Sequence, residues 1–461
     1  MTTWLPNISS SSDPIYLAIA KAIVSDVSAG RLKPGDRLPP QRELAQALNV
    51  AIGTVTRGYV EASRRGVTRG KSGRGTVVRD LAAEQPDSRL RVGPGGGLVD
   101  LGTNVPIHAE APDLSKALAT LAQAQDASRL LHYQAPQQDP RYLAAGAKWI
   151  GECGLNVGPE SVVVTAGAQH AIMTILGALT KPGDLVYADE LTCPALFEVA
   201  QLLHLRVQGI GMDEIGLRPD ALRSACRQRN GQALYCMPTV HNPTSTILTA
   251  ERRQELAQVA REYDLLVIED EVHRHLAPGA AAPISQTVPE RGFFIAGLSK
   301  AVAPGLRVAY VAAPPFAKEQ LNDAVAASLV MVSPLTVELA TMWVEDGTAR
   351  LTADRKRVEA KARQALAREA LGDYSYRSYA SAYNILLDLP EEWKAGEFAN
   401  EARRRGVALA TASAFSVPGC QPPEAVRVSL GGARDRSELR EALAVIAKIL
   451  SDGFPGRGTR M

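Results

Sequence analysis

Three stretches near the start of the chain carry apolar residues at helical spacing. Ile15, Ile19, Ala22, Ile23 and Val27 share one face of residues 14–29, and Gly30 stands where a helix would stop. Lys33-Pro34-Gly35-Asp36 makes a turn, and Pro39-Pro40 suit the entry to a second short helix over 41–48. A third helix over 52–65 places Val55, Tyr59 and Ala62 on one face and Thr54, Arg57, Glu61 and Arg64 on another, with Gly66 ending it. Residues 67–69 and 75–78 are short extended runs about the tip Lys71-Ser72-Gly73-Arg74-Gly75. The prediction is three helices followed by a two-stranded wing.

Residues 80–98 are poor in apolar side chains and contain Gly93-Pro94-Gly95-Gly96-Gly97, the composition of a flexible linker. The expected domains are therefore 1–80, a linker over 81–98 and a body over 99–461. From about residue 160 short β-rich runs (161–165, 185–189, 233–237, 265–269, 293–296 and 308–312) alternate with longer helical ones. That alternation predicts an α/β body with a mostly parallel sheet. From about residue 350 the pattern becomes α+β, with strand-like runs at 384–389, 407–410 and 426–430, and predicts a second, smaller lobe.

Composition changes the picture in three ways. No run of 18 apolar residues is present, so no membrane span is expected, and the polar residues 1–13 do not read as a secretory signal. The five cysteines are scattered and lack metal-ligand spacing, which fits free thiols in a reducing cytoplasm and no metal site. Charge is uneven: residues 1–80 hold twelve Lys and Arg against six Asp and Glu, a net +6, while the rest of the chain is mildly acidic. A basic head on an acidic body points to a polyanion partner for the head alone.

A helical trio with a wing places one helix in the major groove of DNA. The run Gly30-Arg31-Leu32-Lys33-Pro34-Gly35-Asp36-Arg37-Leu38-Pro39-Pro40-Gln41-Arg42-Glu43-Leu44-Ala45, followed by Gly73-Arg74-Gly75-Thr76, resembles a GntR-type winged helix-turn-helix. The resemblance implies that Arg42 and Thr54 contact double-stranded DNA and that the wing, Gly73, Arg74 and Gly75, approaches its backbone. Arg57 and Arg64 are expected at phosphates from charge and helical phase. At the start of the third helix Ala51-Ile52 stands where the family usually has Ser-Arg, so no relative's operator sequence transfers to this chain.

In the body, Ser299-Lys300 ends a strand-like run and precedes Pro304-Gly305-Leu306-Arg307. A lysine at a strand end beside a cleft is a candidate Schiff-base nucleophile. Upstream lie Asn242-Pro243-Thr244 and Glu269-Asp270-Glu271, each after a strand. A lysine, an acid for a ring nitrogen and phosphate anchors are what pyridoxal phosphate needs. Residues 100–450 resemble a fold-type I aminotransferase, a large sheet domain with a small α+β lobe. The resemblance implies that Lys300 bonds the cofactor, Asp270 pairs with its pyridine nitrogen and Asn242 with its phenolic oxygen. It implies Arg307, Ser299, Ala168 and Gln169 at the phosphate, Tyr133 reaching a partner subunit's phosphate in a homodimer, and Arg427 gripping an effector carboxylate. Three positions depart from the pattern. Cys193 stands where relatives stack an aromatic ring, His273 where many have a tyrosine, and Gly297 where a serine often meets the phosphate. His273 is open to two readings, a donor to the cofactor or a packed histidine.

Both halves together resemble the MocR subgroup of GntR regulators. That implies a cytoplasmic, DNA-binding transcriptional regulator whose cofactor-bearing body senses an amino acid or amine. The alternatives are an aminotransferase with an appended DNA-binding head, and a regulator whose body has lost the cofactor.

Overall fold

The computed structural model describes residues 4–6, 14–28, 31–33, 35–64, 68–71, 75–78, 98–108, 110–124 and 126–453. The chain divides into two compact units, residues 1–93 and 94–461. The linker expected over 81–98 falls almost wholly outside the described residues.

In the head, α1 (Ile15–Ser28), α2 (Gln41–Leu48) and α3 (Ile52–Arg64) precede an antiparallel pair, β1 (Thr68–Lys71) and β2 (Gly75–Val78). Ile19, Ile23, Leu44, Val55, Tyr59 and Ala62 close a single core, which Trp4 joins by donating its indole N–H to Asp26 at 2.6 Å. α2 stops at Asn49, whose left-handed conformation (φ 52°) turns the chain toward α3. Gly58 is required where α3 crosses α1: a Cβ there would lie 2.9 Å from Ile19 Cγ2.

The body is built on a seven-stranded sheet. In chain order its strands are β4 (Val162–Thr165), β5 (Leu185–Asp189), β6 (Arg206–Ile210), β7 (Ala233–Cys236), β8 (Leu266–Asp270), β9 (Gly292–Gly297) and β10 (Ala309–Ala312). In space they run β4-β10-β9-β8-β7-β5-β6, all parallel except β10, which pairs antiparallel with both β9 and β4. Helices cover both faces, so the central strands read as continuous apolar runs. β6 was not among the predicted strands. It is an edge strand with an exposed Arg206 and the mixed sequence Arg-Val-Gln-Gly-Ile, so it carries no apolar run to notice.

The small lobe has a four-stranded antiparallel sheet covered by α5 (Thr348–Leu371) and α6 (Arg436–Asp452). Its strands are β11 (Tyr376–Arg377), β12 (Asn384–Asp388), β14 (Ala410–Thr411) and β15 (Ala425–Ser429). The run predicted over 407–410 is in fact two strands. β13 (Val407–Ala408) leaves this sheet to pair in parallel with β3 (Val99–Asp100), and β14 pairs with β15.

This arrangement gathers loops at the carboxyl ends of the parallel strands, where open α/β sheets bind ligands. Asp270 ends β8, Asn242 follows β7, Lys300 follows β9, and Gly167 joins β4 to α4 (Ala168–Leu179).

Candidate functional site

A single helical turn, Leu298–Ala301, carries Lys300 off the end of β9. Its Nζ donates to the backbone carbonyl of Asn104, and its own carbonyl accepts the Tyr383 hydroxyl at 3.1 Å. Behind the turn, the buried Lys356 of α5 donates to Val302 O at 2.6 Å. Burial brings the Lys300 ammonium down to about 8; Arg427 and Arg307 push the same way, while Cys193 and Asp270 oppose. At pH 7 most of the amine is then still protonated, with about a tenth neutral.

Asp270 is buried and accepts the Tyr235 hydroxyl at 2.8 Å across the β7–β8 pair. Burial pushes its carboxyl up to about 6, held from going higher by Tyr235 and the Val272 N–H, so it stays largely ionised at neutral pH. Arg427, on β15, reaches in from the small lobe. Its Nη1 donates to Asn242 Oδ1 at 2.8 Å, its Nη2 donates to the Gly102 carbonyl, and its guanidinium lies 4.5 Å from the Phe415 ring centre. Its Nε is buried with no partner among the described residues. Burial lowers Arg427 to about 10, leaving it charged. Because the guanidinium takes Oδ1 of Asn242, the amide presents Nδ2 as its donor side.

At the opposite corner Gly167 caps α4 with φ +90°, a conformation that side-chain-bearing residues rarely adopt. A Cβ on Gly167 would sit 2.7 Å from Arg307 Nη2. The exposed Arg307, itself at φ 49°, donates to Ser299 Oγ at 3.2 Å. A helix N-terminus opening at Ala168 and Gln169 and facing a guanidinium is a ready-made anion site. Gln169 is exposed and its side chain donates to Glu198 at 2.8 Å.

The three departures have structural counterparts. His273 is buried and holds its ring neutral, burial taking its pKa down to about 3. Its Nδ1 faces the Val240 carbonyl at 3.1 Å, so that nitrogen carries the proton and Nε2 is left as an acceptor, 3.5 Å from Asn104 Nδ2. In this state His273 has no N–H to offer a ligand. Cys193 caps the helix Pro194–Leu202, and burial together with Asp270 pushes its thiol up, away from thiolate character. At Gly297 a Cβ would meet Val272 Cγ1 at 3.0 Å, so a serine there would press on Val272. Tyr133 lies apart from all of these, 86% exposed.

In the head, Arg42 is exposed on α2, Thr54 is half-buried on α3, and Arg57 is exposed with its guanidinium 6.0 Å from the Tyr16 ring. Gly75 opens β2. The Arg64 side chain and residues Gly73 and Arg74 lie outside the described residues. Among the described residues no group of three His, Cys, Asp or Glu side chains could hold a metal ion, and no helix is long and apolar enough to cross a membrane.

Four residues of the site escaped the sequence reading: Asn104, Tyr235, Lys356 and Tyr383. Each sits in an ordinary apolar or charged run and acquires its position only through a partner far along the chain.

The geometry thus defines a helix-turn-helix chain joined to a body of the aminotransferase type. Comparison with known proteins agrees. Residues 15–78 match the bacterial regulatory proteins of the gntR family, and residues 97–446 match the aminotransferase class I and II family. An HTH-type transcriptional regulator of Bacillus subtilis, YdeF, is 30% identical over 98% of this chain and 97% of its own. The vitamin B6 salvage pathway transcriptional repressor PtsJ of Salmonella typhimurium is 27% identical over 94% of this chain and 98% of its own. Among solved structures, the α-aminoadipate aminotransferase LysN of Thermus thermophilus superposes on 77% of this chain and 92% of its own, with a TM-score of 0.71 at 21% identity, a likeness of fold. The chain belongs to the aminotransferase class I and II family and, with its gntR head, to the MocR-type HTH transcriptional regulators.

Proposed function

We propose that this regulator holds pyridoxal phosphate through Lys300, senses an amine or amino acid at that site, and passes the signal to a DNA-binding head. The observation that carries the reading is that a lysine with a lowered pKa feels the charges of an ionised aspartate and of a desolvated arginine whose Nε has no partner among the described residues. The cradle at Gly167 and Arg307, which a Cβ would fill, fits a phosphate beside them.

When bound, the cofactor supplies an electrophilic carbon and an electron-withdrawing ring. The protein's part is placement. Asp270 would accept from a protonated ring nitrogen, Asn242 Nδ2 would donate to a phenolic oxygen, and the start of α4 with Arg307 and Ser299 would hold the phosphate. Arg427 takes a carboxylate in its planar fork. A cleft of about 380 Å³ opens beside Arg307, lined by Gln169, His170 and Leu329 among others. In a homodimer with shared sites, the exposed Tyr133 of a second copy would enter that cleft and reach the phosphate corner.

The route to the head begins in the pocket. Lys300 holds the Asn104 carbonyl and Arg427 holds the Gly102 carbonyl, only a few residues beyond β3. A ligand that engages Lys300 and Arg427 competes with both contacts. It therefore shifts the population of arrangements open to the root of the chain that leads to the DNA-binding unit.

The test is a visible absorption spectrum of the full chain with pyridoxal phosphate, beside Lys300→Ala, followed by amino acid titration and operator-fragment binding. A band present in the native protein, absent in the variant and moved by an amino acid that also changes DNA binding supports the reading. No such band sinks the cofactor-sensor mechanism.

A further inference from the structure

Asn104 lies on the segment that follows β3 and meets the site in two ways. Its carbonyl accepts from Lys300 Nζ. Its Nδ2 faces His273 Nε2 at 3.5 Å, a long contact whose polarity is nevertheless settled by the chain behind it. Val240 O can only accept, so His273 Nδ1 must donate, and a neutral ring then leaves Nε2 as a lone pair. That lone pair orients the amide, with nitrogen toward His273 and Oδ1 away. Oδ1 is buried and has no hydrogen-bond partner among the described residues. Among the described residues, two of the buried side-chain atoms without a hydrogen-bond partner belong to residues that interact with Lys300: Asn104 Oδ1, an acceptor, and Arg427 Nε, a donor.

A buried polar atom without a partner is costly in a folded protein, and a ligand that satisfies it recovers that cost. A ligand's amino group that comes to the position of the Lys300 amine arrives beside Asn104, because Asn104 is what holds that amine. Its carboxylate arrives at Arg427. We propose that Asn104 is an effector-contacting residue whose Oδ1 accepts an N–H from the amino group of the bound amine or amino acid. This rests on the pocket being the cofactor site described above. His273 is then a positioning residue that sets the face of the amide without touching the ligand, and the asparagine selects ligands that bring an N–H donor.

The experiment uses the full chain and two stable probes. N-(5'-phosphopyridoxyl)-L-alanine carries the amine N–H and the carboxylate; pyridoxal phosphate carries neither. Calorimetric titration of each is made against wild type and Asn104→Leu. The expected result is that Asn104→Leu weakens the alanine adduct about tenfold, the range for one hydrogen bond to a desolvated polar group. Pyridoxal phosphate should change less than about threefold. Equal weakening of both probes by Asn104→Leu would assign Asn104 a purely structural role and overturn the proposal, as would no weakening of either. If neither probe binds wild type, the cofactor reading itself fails, and this proposal falls with it.

Discussion

Tyr235 on β7 donates a 2.8 Å hydrogen bond to Asp270 on the neighbouring β8, and both side chains are buried. The hydroxyl offsets the cost of an ionised carboxylate in an apolar surrounding. Removing it in Tyr235→Phe deletes one oxygen with little change of shape. Asp270 should then rise above its present value of about 6, making it a poorer partner for a protonated ring nitrogen. A hydrogen bond to a charged group contributes about 1.5–3 kcal/mol. Pyridoxal phosphate affinity should fall roughly tenfold or more at pH 7, and a Kd unchanged within twofold would show that Tyr235 does not support Asp270.

Cofactor capture should depend on pH through Lys300. Bond formation needs the neutral amine, and burial places the lysine at about 8. The rate of appearance of the visible band should rise between pH 7 and pH 9 with a midpoint near 8. Lys356, buried behind the Lys300 turn and itself lowered to about 8 by burial and by the charge of Lys300, repels the Lys300 ammonium. Lys356→Met removes that repulsion, so the midpoint should move up; a midpoint that stays or falls refutes the coupling.

Gly167 tests the phosphate corner. Its φ of +90° with ψ 169° is a region essentially restricted to glycine, and a Cβ would press on Arg307. Gly167→Ala should cost about 1–3 kcal/mol of strain locally and weaken pyridoxal phosphate at least tenfold. Pyridoxal, which lacks the phosphate, should be affected much less, and equal losses for the two aldehydes would argue against a phosphate site there.

Release of the segment after β3 is open to hydrogen–deuterium exchange. Peptides spanning 98–108 should change protection when pyridoxal phosphate is added, since the Lys300–Asn104 contact must yield. Arg427→Ala should raise exchange of the same peptides without ligand, because Gly102 loses its donor. Unchanged exchange in both cases would place the route to the head elsewhere.

The head has its own test at Gly58. Any side chain there meets Ile19 where α3 crosses α1, and overpacking of this kind costs about 1–3 kcal/mol. In a unit this small Gly58→Val should abolish DNA binding in a gel-shift assay. The visible band of the body should survive, as the two units are separate compact bodies.

The helical face of Ile19, Ile23 and Val27, the proline and glycine signals around α2, and the buried runs of β4, β5, β7, β8, β9 and β10 were all legible in the sequence. Local sterics and the period of apolar residues determine those elements wherever the chain later goes. Lys300, Asp270 and Asn242 could be singled out too, because each stands at or after the carboxyl end of a strand, where a parallel sheet opens. Tertiary structure alone decided what touches them. Asn104 meets Lys300 across 196 residues, and Asn242 meets Arg427 across 185. The tautomer of His273, the support of Asp270 by Tyr235, the second lysine behind the first and the split of 407–410 between two sheets follow from long-range packing. Such contacts depend on the path of the whole backbone, which local periodicity does not encode.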